Sequence, residues 1–204
     1  MHNNPTKNPG FTLIELLVTM SIVGIVLSIA VPSFKDTIRN NRLTADANEL
    51  ITSLNLARSE AVKRGQSVVV RTTLVGWENG WQVFVDANNN NVFDDNGNTI
   101  LCETGEDCIL KDHEPLQTAF TLRGNNNFTS YISYGANGTS NTIGSFAICD
   151  NSDGNDIAEP NTSRLIIVNA VGRIRMAADN DHDGIPGDNP DGTGTEISSC
   201  TAGF

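Results

Sequence analysis

Basic residues are scarce in this chain: 13 lysines and arginines stand against 24 aspartates and glutamates, a net charge of −11. That balance excludes a protein whose whole surface binds nucleic acid and fits a soluble, non-sticky exterior, while leaving room for a local basic spot. Histidine is scarcer still. His2, His113 and His182 are scattered, and none completes a Ser-His-Asp or Cys-His set. No glycine-rich phosphate loop, HExxH helix or nucleophile elbow occurs, so nothing points to an enzyme. No CxxC pair is present to hold a structural zinc. Charge is missing altogether from Leu16 to Val31. Also missing is a small-residue cleavage site after that run, where Val31-Pro32-Ser33-Phe34-Lys35 leads straight into a helical pattern. A secretory signal cut after its apolar region is therefore excluded, and the apolar helix is retained.

What is present begins at Gly10-Phe11-Thr12-Leu13-Ile14-Glu15-Leu16. From Phe11 to Val31 a helix is about 31 Å long, enough to span a bilayer. Glu15 is the one acid near its start, and an unpaired carboxylate there costs roughly 2.5–3.5 kcal/mol. A cut after Gly10 supplies the partner: the new amine on Phe11 is a cation, and one protomer's amine can face its neighbour's Glu15. The short leader, Met1 to Gly10, carries His2 and Lys7 and no acid, so it stays in the cytoplasm. These residues resemble the class III leader site of type IV pilins and type II secretion pseudopilins. The resemblance implies a prepilin peptidase that cuts after Gly10 and N-methylates Phe11, with Glu15 guiding assembly with other subunits.

The length of 204 residues predicts one globular domain beyond the anchor. Four cysteines in a domain carried across a membrane fit two disulfides, with three connectivities open. Cys102 and Cys108 lie close together in a turn-rich segment, which favours their pairing and leaves Cys149 to Cys200.

Pro32 is expected to bend the anchor helix or mark its exit from the membrane. A second apolar face follows at Ala47, Leu50, Ile51, Leu54, Ala57, Ala61 and Val62, with Asp46, Glu49, Ser53, Arg58 and Lys63 elsewhere. Lys63 and Arg64 suit the negative helix end and Gly65 its C-cap. The segment Leu56-Ala57-Arg58-Ser59-Glu60-Ala61-Val62-Lys63-Arg64-Gly65 is similar to the helix end of the minor pseudopilin H family, which includes the FimT and FimU minor pilins. Strands are expected at 67–74, 81–85, 118–122, 131–133, 145–149, 164–168 and 172–176, separated by Asn, Asp and Gly clusters. Trp77, Trp81 and Phe84 read as packing residues. The sum is an α+β, pseudopilin-like fold: a long N-terminal helix, transmembrane in its first half and amphipathic in its second, packed on antiparallel sheet. The domain plan is a leader at 1–10, a transmembrane helix at 11–31, an amphipathic helix at 32–65 and a periplasmic, β-rich domain at 66–204.

Two stretches carry candidate chemistry. Gly172-Arg173-Ile174-Arg175 places two guanidiniums on one side of a strand, a phosphate-binding pair, with Ile174 toward the core. It resembles the GRxR of FimT-type minor pilins. That resemblance implies DNA binding in natural transformation, with Arg173 and Arg175 on backbone phosphates and Gly172 allowing close approach. Asp179-Asn180-Asp181-His182-Asp183-Gly184 has acids at positions one, three and five and glycine at six, the opening of an EF-hand-like calcium loop. Position twelve is Pro190, so Asp188 or Asp191 is left to supply the missing ligand. Asp86 to Asp94 has similar spacing without the central glycine. No other cofactor is expected. The expected place is the inner membrane with a periplasmic domain, then a pilus or pseudopilus. Three uses follow: pilus assembly at the tip, DNA capture, or contact with secreted proteins in a type II secretion system.

Overall fold

The computed structural model describes residues 10–95, 97, 102–103, 105–125, 127–179, 181–187 and 196–201. Residues 1–9 of the leader, with His2 and Lys7, lie outside them, as do Asn180, Asp188, Pro190 and Asp191. One helix, α1, runs Leu13–Arg64. Pro32 stands inside it and does not end it. By its contacts the chain falls into two compact units, one up to Arg39 and one from Asn40 onward.

In the first unit the helix buries nothing against protein. Every residue from Gly10 to Arg39 is exposed except Ala30, which is half-exposed. This helix is long and apolar enough to cross a membrane. An apolar surface of that length without a protein partner is what a bilayer covers.

In the second unit the rest of α1 presents Leu43, Ala47, Leu50, Leu54, Ala57 and Ala61, all fully buried. Their spacing of four and three is the helical period, so they form one stripe. The stripe starts a turn earlier than the sequence suggests. It also leaves out Val62, which is 54% exposed. Gly65 closes the helix in the left-handed region, φ 67°, with its amide bonded to the Ala61 carbonyl.

Eight strands follow: β1 Ser67–Thr72, β2 Trp81–Asp86, β3 Cys108–His113, β4 Phe120–Gly124, β5 Tyr131–Tyr134, β6 Gly144–Asp150, β7 Ser163–Val168 and β8 Ile174–Met176. They make two four-stranded antiparallel sheets, ordered β3-β2-β1-β5 and β4-β6-β7-β8. The antiparallel sheet expected from sequence is present as these two sheets. Strand β3 was not expected; it is an edge strand whose register shifts against β2 between Val83 and Phe84.

The main core joins the α1 stripe to the inner faces of both sheets, among them Val83, Ile132, Phe146 and Ile166. Trp77, from the β1–β2 turn, meets Phe146 of the other sheet edge-to-face at 4.9 Å. Its indole N–H donates to the Phe128 carbonyl at 2.7 Å. A buried indole needs that partner, so Trp77 fastens one sheet to the other. A second, smaller core covers the outer face of the β4-β6-β7-β8 sheet. There Ala147, Cys149 and Leu165 pack with Ala158, Ile197 and Cys200. Cys149 is bonded to Cys200, which ties the C-terminal segment to that face, and Cys102 is bonded to Cys108.

Candidate functional site

At the N-terminus the hydroxyl of Thr12 accepts the Glu15 amide at 3.3 Å. Thr-x-x-Glu is the capping-box pattern, so Thr12 starts α1 and puts Glu15 in its first turn, where a negative charge suits the helix dipole. Gly10 and Phe11 precede the helix and are exposed, Phe11 by 83%. Among the described residues the Glu15 carboxylate has no side-chain partner, which leaves it available to one outside the chain.

The arginine motif lies on the β7–β8 hairpin. Asn169 closes the turn: its amide donates to the Arg173 carbonyl at 3.1 Å, its side-chain oxygen accepts the Arg173 amide at 2.9 Å, and its carbonyl accepts the Gly172 amide at 2.8 Å. Ile174 and Met176 pack on the main core. Arg175 therefore faces the other way, as alternation along a strand requires, and Arg173 stands just before the strand. Arg175 pairs in register with Ile167 on the outer face, and Arg173 is exposed.

Gly172 has a different role from the expected one. It is buried, with φ 74°, and a Cβ there would overlap the Gly138 carbonyl oxygen and sit 3.1 Å from the Ser140 nitrogen. The close approach it permits is to the loop between β5 and β6, not to a ligand. Gly172→Ala is expected to cost at least about 2 kcal/mol, combining a left-handed backbone with a backbone clash. Gly65→Ala, also at positive φ but with open space around it, is the control and should cost about 1 kcal/mol. Urea unfolding of both variants measures the difference.

Asp179, Asp181 and Asp183 bring one carboxylate oxygen each within 4.8 Å of one another. Asp179 Oδ2 accepts the Gly184 amide at 2.9 Å, while its Oδ1 is buried with no hydrogen-bond partner among the described residues. Glu196 is drawn in through a bridge to Gly187. The Asp183 charge beside it, then burial, then Asp181 and Asp179, push the Glu196 carboxyl above the usual range. Three acids thus converge at one loop, with Glu196 near enough to feel their charge. Sequence spacing pointed to Asp188 or Asp191 for the fourth, both outside the described residues; Glu196 gave no local signal, because a bridge between distant segments places it.

The Asp86 loop is organised differently. Asp86 and Asp107 are buried, and their four oxygens accept the amides of Asn90, Asn91, Ala87 and Asp94 at 2.8–3.2 Å. The loop satisfies its own carboxylates and is a structural turn. Trp77, Trp81 and Phe84 are buried, as expected of packing residues. His113 stacks on Trp81 with ring centres 3.8 Å apart.

Like Glu196, Arg58 escaped the sequence reading of function. Arg58, on α1, donates from Nε to the Gly138 carbonyl at 2.9 Å and from Nη2 to the Val171 carbonyl at 3.2 Å.

Comparison with known proteins bears on both ends of the chain. The family model described as type II transport protein GspH matches residues 46–172, well over half of the chain. That of the prokaryotic N-terminal methylation motif matches residues 6–31. A fimbrial protein of Pseudomonas aeruginosa is 34% identical over 64 residues, 31% of this chain and 41% of that protein. The pilin-like protein PilA1 of Thermus thermophilus is 37% identical over 87 residues, 42% of this chain and 53% of that protein. The chain thus spans about half the length, or less, of these relatives. The crystal structure of the type IV minor pilin FimU of P. aeruginosa aligns with a TM-score of 0.49 at 22% identity, covering 78% of this chain and 96% of that one.

Proposed function

This chain belongs to the GspH family of type II transport proteins, and from that premise we propose that it is a minor pilin-like subunit built into a pilus or pseudopilus. Pilins and pseudopilins are structural subunits, which agrees with the lack of any catalytic constellation in the sequence. The observation that carries the reading is the N-terminal methylation motif over residues 6–31 ending in an apolar helix that buries nothing. The motif brings prepilin peptidase processing with it, and the helix supplies the membrane anchor. In this account residues 11–31 hold the chain in the inner membrane, and the domain from Asn40 onward stands in the periplasm. Extraction into the filament sets Glu15 against the Phe11 amine of the next subunit.

Between the two machines we favour the type IV pilus, because the arginine hairpin gives the domain a use there. Arg173, exposed, and Arg175, half-buried on the strand next to it, bring two guanidiniums to the edge of a sheet, a pairing that suits DNA backbone phosphates. Deleting the gene tests the choice. Loss of pili with secreted enzymes unaffected supports it; loss of secretion with pili intact assigns the chain to a type II secretion system.

A second proposal concerns metal. The unpartnered, buried Asp179 Oδ1 amid three converging carboxylates favours a calcium ion held by Asp179, Asp181 and Asp183, with Glu196 beside them. Calcium takes carboxylate oxygens in flexible geometry, and repulsion among the acids would otherwise oppose folding of the loop. At hundredfold saturation it should add about 2.7 kcal/mol, raising the melting temperature of the full chain by about 5–10 °C. Calorimetry with calcium and with chelator measures this, and Asp181→Asn with Asp183→Asn should abolish the difference.

A further inference from the structure

We propose that Arg58 is a positioning residue for the arginine hairpin: a clamp on α1 that holds the β7–β8 turn in place and so sets where Arg173 and Arg175 project. Strand β8 is three residues long, and among the described residues the backbone of its turn is closed by Asn169. What fixes the turn is a contact with two other elements at one point.

The β5–β6 loop folds back through bonds from the Gly135 amide to the Thr139 carbonyl and from the Gly138 amide to the Gly135 carbonyl. That directs the Gly138 carbonyl at Gly172 and at Arg58 together. The Ser140 hydroxyl, in the same loop, donates to the Thr142 carbonyl at 2.7 Å and lies 3.3 Å from the Asn169 carbonyl. From the helix side the Arg58 guanidinium reaches both turns, with Nε on Gly138 and Nη2 on Val171. Helix, loop and hairpin therefore meet through one side chain.

Arginine is suited to this because its donors lie in a rigid plane and can bridge two carbonyls at once. Lysine carries the same charge on one nitrogen and a flexible stem, so it cannot keep both contacts in that geometry. The arrangement links two sequence stretches 113 residues apart, the Leu56–Gly65 helix end and the GRxR hairpin. It also gives Gly172 and Arg58 complementary parts in one joint: the glycine lets the turns touch, and the arginine fastens them.

The clamp itself stands on the hydrogen bonds; only its effect on ligand rests on the reading of Arg173 and Arg175 as phosphate contacts. The test uses the full chain in detergent micelles, comparing wild type with Arg58→Gln and Arg58→Lys. Hydrogen exchange in the peptide covering 169–176 should become about tenfold faster in both variants, with peptides of β1 and β2 unchanged as the check on folding. Affinity for a duplex DNA should fall about tenfold in both, while the slope of log affinity against log salt stays as in wild type. Three results overturn the clamp: unchanged exchange at 169–176, full affinity in Arg58→Lys, or a slope smaller by about one, which makes Arg58 itself a phosphate contact. If wild type binds no DNA, the phosphate reading falls, and the exchange result decides the clamp alone.

Discussion

Glu15→Ala leaves the chain in the membrane and takes it out of the filament. The amount in sheared pili or pseudopili should fall by at least about a hundredfold, while the membrane pool stays level or rises. Two energies set this expectation. Removing an acid from an apolar span eases insertion, by roughly 2.5–3.5 kcal/mol, so the anchor does not suffer. In the filament the same change strands a neighbouring amine in an apolar setting, and breaking a buried ion pair from one side costs about 3–5 kcal/mol. Thr12→Ala separates this from a local effect on the helix. It removes the hydroxyl that accepts the Glu15 amide and should cost only about 1 kcal/mol of helix stability, with incorporation retained. Immunoblots of membrane and sheared fractions measure both variants.

The second large effect is expected at the hairpin. Replacing Arg173 and Arg175 together by glutamine should lower the affinity of the full chain for DNA by about a hundredfold, since each arginine gives up a charge-assisted contact. The slope of log affinity against log salt should shrink by about two, one for each phosphate released. Arg173 is exposed, Arg175 is half-buried and neither belongs to the main core, so urea unfolding of the double variant separates a lost contact with DNA from a lost fold. Gel shifts across a salt series give affinity and slope together. A net charge of −11 makes the effect sharper: without the arginine pair the domain has strong reason to repel DNA. Calcium at the neighbouring acidic loop should act in the same direction as the arginines, lowering that repulsion.

Much of this fold was legible in the sequence because its strongest signals are periodic. The buried stripe from Leu43 to Ala61 repeats at four and three, and β1, β2, β6 and β7 are runs of β-branched and aromatic residues between turn clusters. Strand β3 gave no such signal. Its residues Lys111, Asp112 and His113 are polar, and it exists because β2 offers it an edge to pair with. Division into two sheets was equally hidden, since it is set by which strands pair at long range. Among the site residues, alternation put Arg175 opposite Ile174, while Arg173, expected within the strand, stands just before β8. Gly172 could not be interpreted correctly: a glycine in a motif is the same letter whether it makes room for a ligand or for the protein's own Gly138 carbonyl. Arg58 and Glu196 were invisible for a related reason. Each acts on residues tens of positions away or across a β-bridge, and only the folded chain brings them together.

A free amine at Phe11 is the proposed partner of Glu15, which has no side-chain partner among the described residues. Mass spectrometry of the N-terminal peptide, taken from the chain extracted from membranes of cells with an active prepilin peptidase, reads this directly. The expected species begins at Phe11 and carries one N-methyl group. A chain that keeps Gly10 and the residues before it, while still entering filaments in normal amount, contradicts the account.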